Sequence, residues 1–181
     1  TAASFDEEGY FRSGDAVQWI DAHDVHKGLK FDGRIAEDFK LTTGSFVSVG
    51  PLRARVIAAG APYVQDVVVT GLNRDEVGAL IFPTASIRAL AQLDASTSLA
   101  DVFTSAPVQA YFQRLINQLA VAATGSTTRI ARAVLLSEPP SIDKGEVTDK
   151  GSINQRAVLK HRDDLVQALY NGTAAHLIRP N

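Results

Sequence analysis

Two lysines on one polar loop, an arginine behind a glycine, and an aspartate closing a Ser-Gly-Asp turn are the side chains best equipped to handle a charged small molecule. Lys144 sits in Asp143-Lys144-Gly145 and Lys150 in Thr148-Asp149-Lys150-Gly151-Ser152. An ammonium held there stabilises negative charge that collects as an anion reacts. Arg34, in Gly33-Arg34, brings a guanidinium that stays charged at any working pH and suits hydroxyl or phosphate oxygen. Asp15 offers two acceptor oxygens, enough to take hydrogen bonds from neighbouring hydroxyls. Thr43-Gly44-Ser45 is a turn whose glycine lets another chain pass close to backbone. Each of these also has an ordinary use as a turn or a solvated surface charge, so only their arrangement can raise them above it.

Other chemistries are poorly provided for. The 181 residues hold 18 Lys+Arg against 20 Asp+Glu, and a net charge of -2 supplies no basic footprint for nucleic acid or an anionic membrane. Without Cys there is no disulfide, thiolate metal site or cysteine nucleophile, and a cytoplasmic setting is expected. Glycine-rich phosphate loops, dinucleotide fingerprints, the Gly-x-Ser-x-Gly elbow and His-Glu-x-x-His are all missing. His23 and His26 are three residues apart, but they lie in a polar segment with Asp21, Asp24 and Lys27 and no helical pattern. We therefore expect no metal site there. The basic run Lys144, Lys150, Arg156, Lys160, Arg162 is nearly cancelled by Asp143, Glu146, Asp149, Asp163 and Asp164. The apolar runs are too short to span a bilayer.

The elements that must position these groups are legible from periodicity. Residues up to Phe31 are turn-rich, with short stretches such as Ala16-Val17-Gln18-Trp19-Ile20 that read as strands whose partners lie elsewhere. The chain opens on Thr1 and holds no Met, and so reads as a piece of something longer. Further on, Phe46 to Val49 alternates as a strand, and Pro51 fits the first turn of a helix over Leu52 to Ala59 that stops at Gly60. Val64 to Thr70 and Val77 to Phe82 form a hairpin with a longer loop, and Ser86 to Leu93 is helical. Val108, Tyr111, Phe112, Leu115, Ile116 and Leu119 mark an amphipathic helix over Pro107 to Ala123 with Ser105 as N-cap. Ile130 to Leu136 is a strand, Pro139-Pro140 breaks it, and a last helix runs from Asn154 to Tyr170. The expected class is α+β: a small mixed sheet flanked by helices, preceded by a β-rich tail.

Three stretches in order resemble the C-terminal portion of the adenylate-forming enzymes, the superfamily of acyl-CoA synthetases, adenylation domains and luciferases. They are Phe5 to Asp15, containing Tyr10-Phe11-Arg12-Ser13-Gly14-Asp15; Phe31 to Gly44, containing Gly33-Arg34-Ile35-Ala36-Glu37-Asp38-Phe39-Lys40; and Gly145 to Arg156. The second and third look most like feruloyl-CoA synthetases. The resemblance implies that residues 1–33 end a large N-terminal adenylating domain, 34–40 form a hinge, and 41–181 form a mobile C-terminal lid. Asp15 would bind the ribose of ATP and Arg34 would contact the nucleotide. Ala36 or Glu37 would be the pivot, according to how the acidic pair and Lys40 are aligned. Thr43, Gly44 and Ser45 would line the pantetheine tunnel of CoA.

The family's lysine between substrate carboxylate and α-phosphate falls on Lys150, with Lys144 as rival. Here the usual Ser-Gly-Lys order is replaced by Lys150-Gly151-Ser152. The segment Val49 to Arg53 also lacks the Glu of many relatives. The implied cofactors are ATP, Mg2+ held largely by the large domain, and CoA as co-substrate; the implied partners are a carboxylic acid and that large domain. The implied reaction is an acid–thiol ligation on a hydroxycinnamic or aryl acid such as ferulate, for which this chain alone would be inactive. A ligase for another aryl or fatty acid, or a nucleotide-sensing module retaining the lid fold, are the alternatives.

Overall fold

Val67, Val68 and Val69 in a row cannot all face one side of a strand, and the sheet they enter is covered on both. The structure is a computed structural model and describes residues 4–181. In chain order the elements are β1 (Asp15–Trp19), β2 (Leu29–Arg34), β3 (Phe39–Lys40), β4 (Phe46–Val47), α1 (Val49–Gly60), β5 (Val64–Thr70), β6 (Val77–Pro83), α2 (Ile87–Ala91), α3 (Leu99–Thr104), α4 (Ala106–Val121), β7 (Ile130–Leu135), α5 (Gln155–His161) and α6 (Asp163–Asn171).

The central sheet runs β5-β6-β7, with β5 antiparallel and β7 parallel to β6. A parallel pair needs a crossover, and helices α2 to α4 supply it. Alternation along each strand divides the core in two. Val67, Val69, Ala79, Ile81, Ala133 and Leu135 face one cluster, shared with α1 and α4. Val68, Leu80, Phe82, Val134 and Leu136 face the other, closed by Val158, Val166 and Leu169 of α5 and α6. The expected small mixed sheet flanked by helices is the fold found.

Three local features differ from the expectation. The segment Ala16 to Ile20 is not a strand whose partner lies elsewhere: β1 pairs antiparallel with β2, with a bulge between Ala16 and Val17. Helix α3 was not anticipated. Its signal was local, since Ser98 caps it by accepting from the Asp101 amide at 3.1 Å while its hydroxyl donates to the Asp101 carboxylate at 2.6 Å. The final helix is two helices broken at Arg162, whose φ of -113° and ψ of 31° are not helical. The cause is tertiary, because the Arg162 side chain is drawn into bonds with Glu146 and with the carbonyls of Glu138 and Pro139.

Between tail and helical body, β2 lies against the start of α1 through two glycines. A Cβ on Gly50 would fall 2.5 Å from the Gly33 Cα and 2.6 Å from the Asp32 carbonyl oxygen. Only a residue without a Cβ allows these backbones to touch.

Candidate functional site

The two strands that carry the first motifs fold onto each other so that Asp15 stands directly opposite Arg34. Directly opposed residues of an antiparallel pair share a face, with Cβ atoms roughly 4.5–5.5 Å apart. A separation of nineteen positions in sequence thus becomes one register position. Both side chains are exposed, and among the described residues they form no ion pair with each other. Their hydrogen-bonding capacity remains available to a ligand.

Arg34 borders a cleft of about 630 Å³ between the ladder and α1. That is within the range of roughly 300–1,000 Å³ expected of a small-molecule site. Gln18 and Asp32 form its ladder wall and are joined by a 2.5 Å hydrogen bond from the amide to the carboxylate. Arg53 and Ile57 of α1 form the opposite wall. Arg53 is fixed by a bidentate pair with Asp66 of β5, Nε to Oδ1 at 2.7 Å and Nη2 to Oδ2 at 2.6 Å. The Asp66 carboxylate holds the guanidinium in its charged form, and the nearby Glu37 charge adds to this. The sequence offered no sign of this pair, because residues thirteen apart on a helix and a strand meet only in the folded state.

The remaining side of the cleft is closed by Ser152 and Ile153. They belong to a small hairpin in which Val147 pairs with Ile153. The Thr148 amide donates to the Ser152 carbonyl at 2.8 Å and the Gly151 amide to the Thr148 carbonyl at 2.8 Å. Gly151 has φ of +80°, so Asp149-Lys150-Gly151 is a three-residue hairpin loop with glycine at its left-handed position. Lys150 is exposed at the tip, two residues from the cleft wall. The departure from the common motif therefore has a local reason: this turn needs glycine after the lysine.

Lys144 is exposed on the preceding turn, where its amide donates to the Ser141 hydroxyl at 3.3 Å. No residue of that turn borders the cleft. Beneath both turns lies Glu146, which is 1% exposed and bound bidentately by Arg162 at 2.7 and 3.0 Å. It also accepts from the Ser141 amide at 2.8 Å. The Arg162 hydrogen bonds hold the Glu146 carboxyl below its ordinary value of 4.5, against the opposing effect of burial. Gln155 is buried as well, and its side-chain oxygen accepts from the Val69 amide of β5 at 3.0 Å. Sequence reading placed Glu146 among solvated loop charges. Only the three-dimensional arrangement shows it to be the anchor of the lysine-bearing segment.

Ala36 and Glu37 lie in a one-turn 3-10 helix, Ile35–Glu37, and Glu37 borders the cleft. The turn is tied on either side. The Ile35 amide donates to the Gly14 carbonyl at 3.0 Å, and Asp38 Oδ1 accepts from the Val49 amide at the start of α1 at 2.8 Å. Asp38 thereby caps a helix whose own N-cap, Ser48, makes no side-chain cap bond.

Thr43, Gly44 and Ser45 are not at the cleft. Thr43 and Gly44 belong to a second three-residue hairpin loop, Thr42-Thr43-Gly44, closed by Ser45, with Gly44 at φ of +81° and the Leu41 amide donating to the Ser45 carbonyl at 3.0 Å. This loop is stitched to the β5–β6 connection by Thr42 amide to Arg74 carbonyl at 3.0 Å and Thr42 hydroxyl to Asp75 at 2.5 Å. Beyond its own chain neighbours no atom lies within 4 Å of where a Gly44 Cβ would be, so its φ demands the glycine and its outer side is open. Among the described residues no three His, Asp or Glu converge on a metal position, His23 and His26 included. Nor, among them, is any helix long and apolar enough to cross a membrane.

The fold belongs to a known class. The adenylation domain of carboxylic acid reductase from Segniliparus rugosus, in complex with AMP and a co-purified carboxylic acid, superposes with a TM-score of 0.63. Identity is 22%, over 96% of this chain and 25% of the other. The adenylation domain of a carboxylate reductase from Mycobacterium chelonae gives 0.65 at 23% identity, over 94% and 24%. Anthranilate CoA ligase AuaEII in complex with anthranoyl-AMP gives 0.57 at 19%, over 90% and 26%. The chain thus spans about a quarter of the length of these proteins. No curated protein matches the sequence. Residues 38–174 match the AMP-binding enzyme C-terminal domain, and the chain belongs to that family of adenylate-forming enzymes.

Proposed function

We propose that this chain is the lid, with the end of the large domain, of an ATP-dependent acid–thiol ligase whose substrate is a hydroxycinnamic or aryl acid such as ferulate. The carboxylate attacks the α-phosphate of ATP, forming acyl-adenylate and releasing pyrophosphate. The thiol of CoA then attacks the acyl carbon and AMP leaves. Asp15 accepts hydrogen bonds from the ribose hydroxyls, Arg34 contacts the nucleotide beside it, and Lys150 brings positive charge to the oxygens of the reacting carboxylate and α-phosphate. Residues 1–33 belong to the large domain, 34–40 to the hinge and 41–181 to the lid. The pivot lies at Ala36 or Glu37, the two positions left between the Ile35 and Asp38 tethers. Turning there exchanges the Lys150 hairpin for the open loop Thr43-Gly44-Ser45, past which the pantetheine arm reaches the acyl-adenylate. Mg2+ neutralises phosphate charge in such reactions. Among the described residues of this chain no three His, Asp or Glu converge on a position for it.

The observation that carries this reading is that one cleft is bordered by Arg34, which stands opposite Asp15 in the β1–β2 ladder, and by Ser152 and Ile153 of the hairpin that carries Lys150. The test is Lys150→Ala in the intact enzyme. Acyl-adenylate formation should slow by about 10²–10³, the usual effect of one preorganised donor. Carboxylate and ATP binding should change far less, and thioester formation from supplied feruloyl-adenylate and CoA should stay near wild type. Loss in Lys144→Ala instead would move the role to the other turn. Loss in neither, with nucleotide still bound, would favour a nucleotide-sensing module. A panel of aryl and fatty acids decides the substrate.

A further inference from the structure

Arg156, in the first turn of α5, reaches back 120 residues and donates from Nη2 to the carbonyl oxygen of Ala36. Among the described residues it is the one polar side-chain bond that crosses from residues 4–36 to the helical body; the bonds of Gln18 and Asp32 stay within the tail, and that of Asp38 within the body. We propose that Arg156 is a latch on a hinge at Glu37, a positioning residue that favours the pose in which the Lys150 hairpin meets the cleft and that must let go before the lid turns about Glu37.

The geometry of a peptide carbonyl carries the argument. Rotation about φ or ψ of Ala36 carries the Ala36 oxygen along with everything after it, α5 included, so the bond to Arg156 is kept. Rotation about φ or ψ of Glu37 leaves the oxygen with the tail and moves α5, with Arg156, away from it. The bond therefore opposes a turn at Glu37 and not one at Ala36. The other tethers survive both, because Ile35 to Gly14 travels with the tail and Asp38 to Val49 with the body. The bond is also reversible by construction. Arg156 and Ala36 are both exposed, so water satisfies each when they part and no buried group is stranded. Such a contact biases a two-state equilibrium without locking it. Its origin on α5 matters too, since Asn154, two residues before Arg156, donates its amide to the Glu146 carbonyl at the base of the lysine hairpin. Hinge and lysine are therefore mechanically joined through one short segment.

The assignment of Glu37, one of the two candidate positions, as pivot rests on the proposed function, and the experiment separates latch and function. In this chain, amide hydrogen exchange is followed at Asp38, whose amide donates to Ile35, with α5 and β5 amides as the control for folding. Arg156→Ala should raise Asp38 exchange by about three- to tenfold while the control amides keep their protection. Arg156→Lys should lie between. In the intact enzyme the ratio of adenylation to thioester formation should fall by a similar factor, with the KM for the acid unchanged. Unchanged Asp38 exchange in Arg156→Ala overturns the latch. Faster exchange with an unchanged ratio upholds the contact but overturns its role in domain alternation.

Discussion

Asp15 and Arg34 become a pair because β1 and β2 are antiparallel and in register at that position. Neither residue is buried, so neither contributes much to the fold, and their effect should appear in ligand binding alone. Asp15→Ala in the intact enzyme should raise the concentration of ATP needed for half-saturation by about ten- to a hundredfold, the equivalent of one charge-assisted hydrogen bond of about 1.5–3 kcal/mol. Thermal stability should not change. An unaltered ATP dependence would make Asp15 a turn residue and nothing more. Gly44 and Gly50 show how one residue type serves two needs. The first is required by a positive φ in open space, the second by backbone contact with β2 at an ordinary φ.

At the scale of elements, the Glu146–Arg162 pair organises the region between β7 and α6. It ties the Pro139 carbonyl, both lysine turns and the break between α5 and α6 into one unit. Arg162→Ala leaves an uncompensated buried carboxylate, an effect of about 3–5 kcal/mol. The pH dependence follows from the lowered Glu146 pKa. A carboxyl more acidic in the folded than in the unfolded chain stabilises the fold above its unfolded value. That contribution declines as pH falls through 4.5 and is gone below the folded value. Urea midpoints taken from about pH 6 down to about pH 3 should therefore drop more steeply for the wild type than for Glu146→Gln. Equal slopes would mean that Arg162 contributes nothing to the pH dependence.

At the scale of the whole molecule, the proposed function requires tail and body to move relative to each other. Their contacts include the Gly33–Gly50 backbone approach and the Arg156 bond to Ala36. Proline at Ala36 or at Glu37 in the intact enzyme fixes φ at that residue and restricts the turn. Pyrophosphate release should continue while CoA thioester formation collapses. Equal loss of both half-reactions would place the pivot elsewhere.

Periodicity alone was enough for β5, β6, β7 and α4, because their apolar residues repeat at the spacing of the element and their ends carry Gly, Pro or Ser. The ordered motifs were enough for the family, and they named Asp15, Arg34 and Lys150 as a set. The sequence did not reveal that Asp15 and Arg34 share one register position, that Glu146 and Gln155 are buried, or that Arg162 breaks the last helix. It was also silent on the Ala36 carbonyl held by Arg156. The reason is the same in each case. Periodicity reports which side of an element avoids water, whereas these features depend on which polar group of a distant segment arrives opposite. Burial turns a loop glutamate into an anchor only after an arginine sixteen residues away has met it.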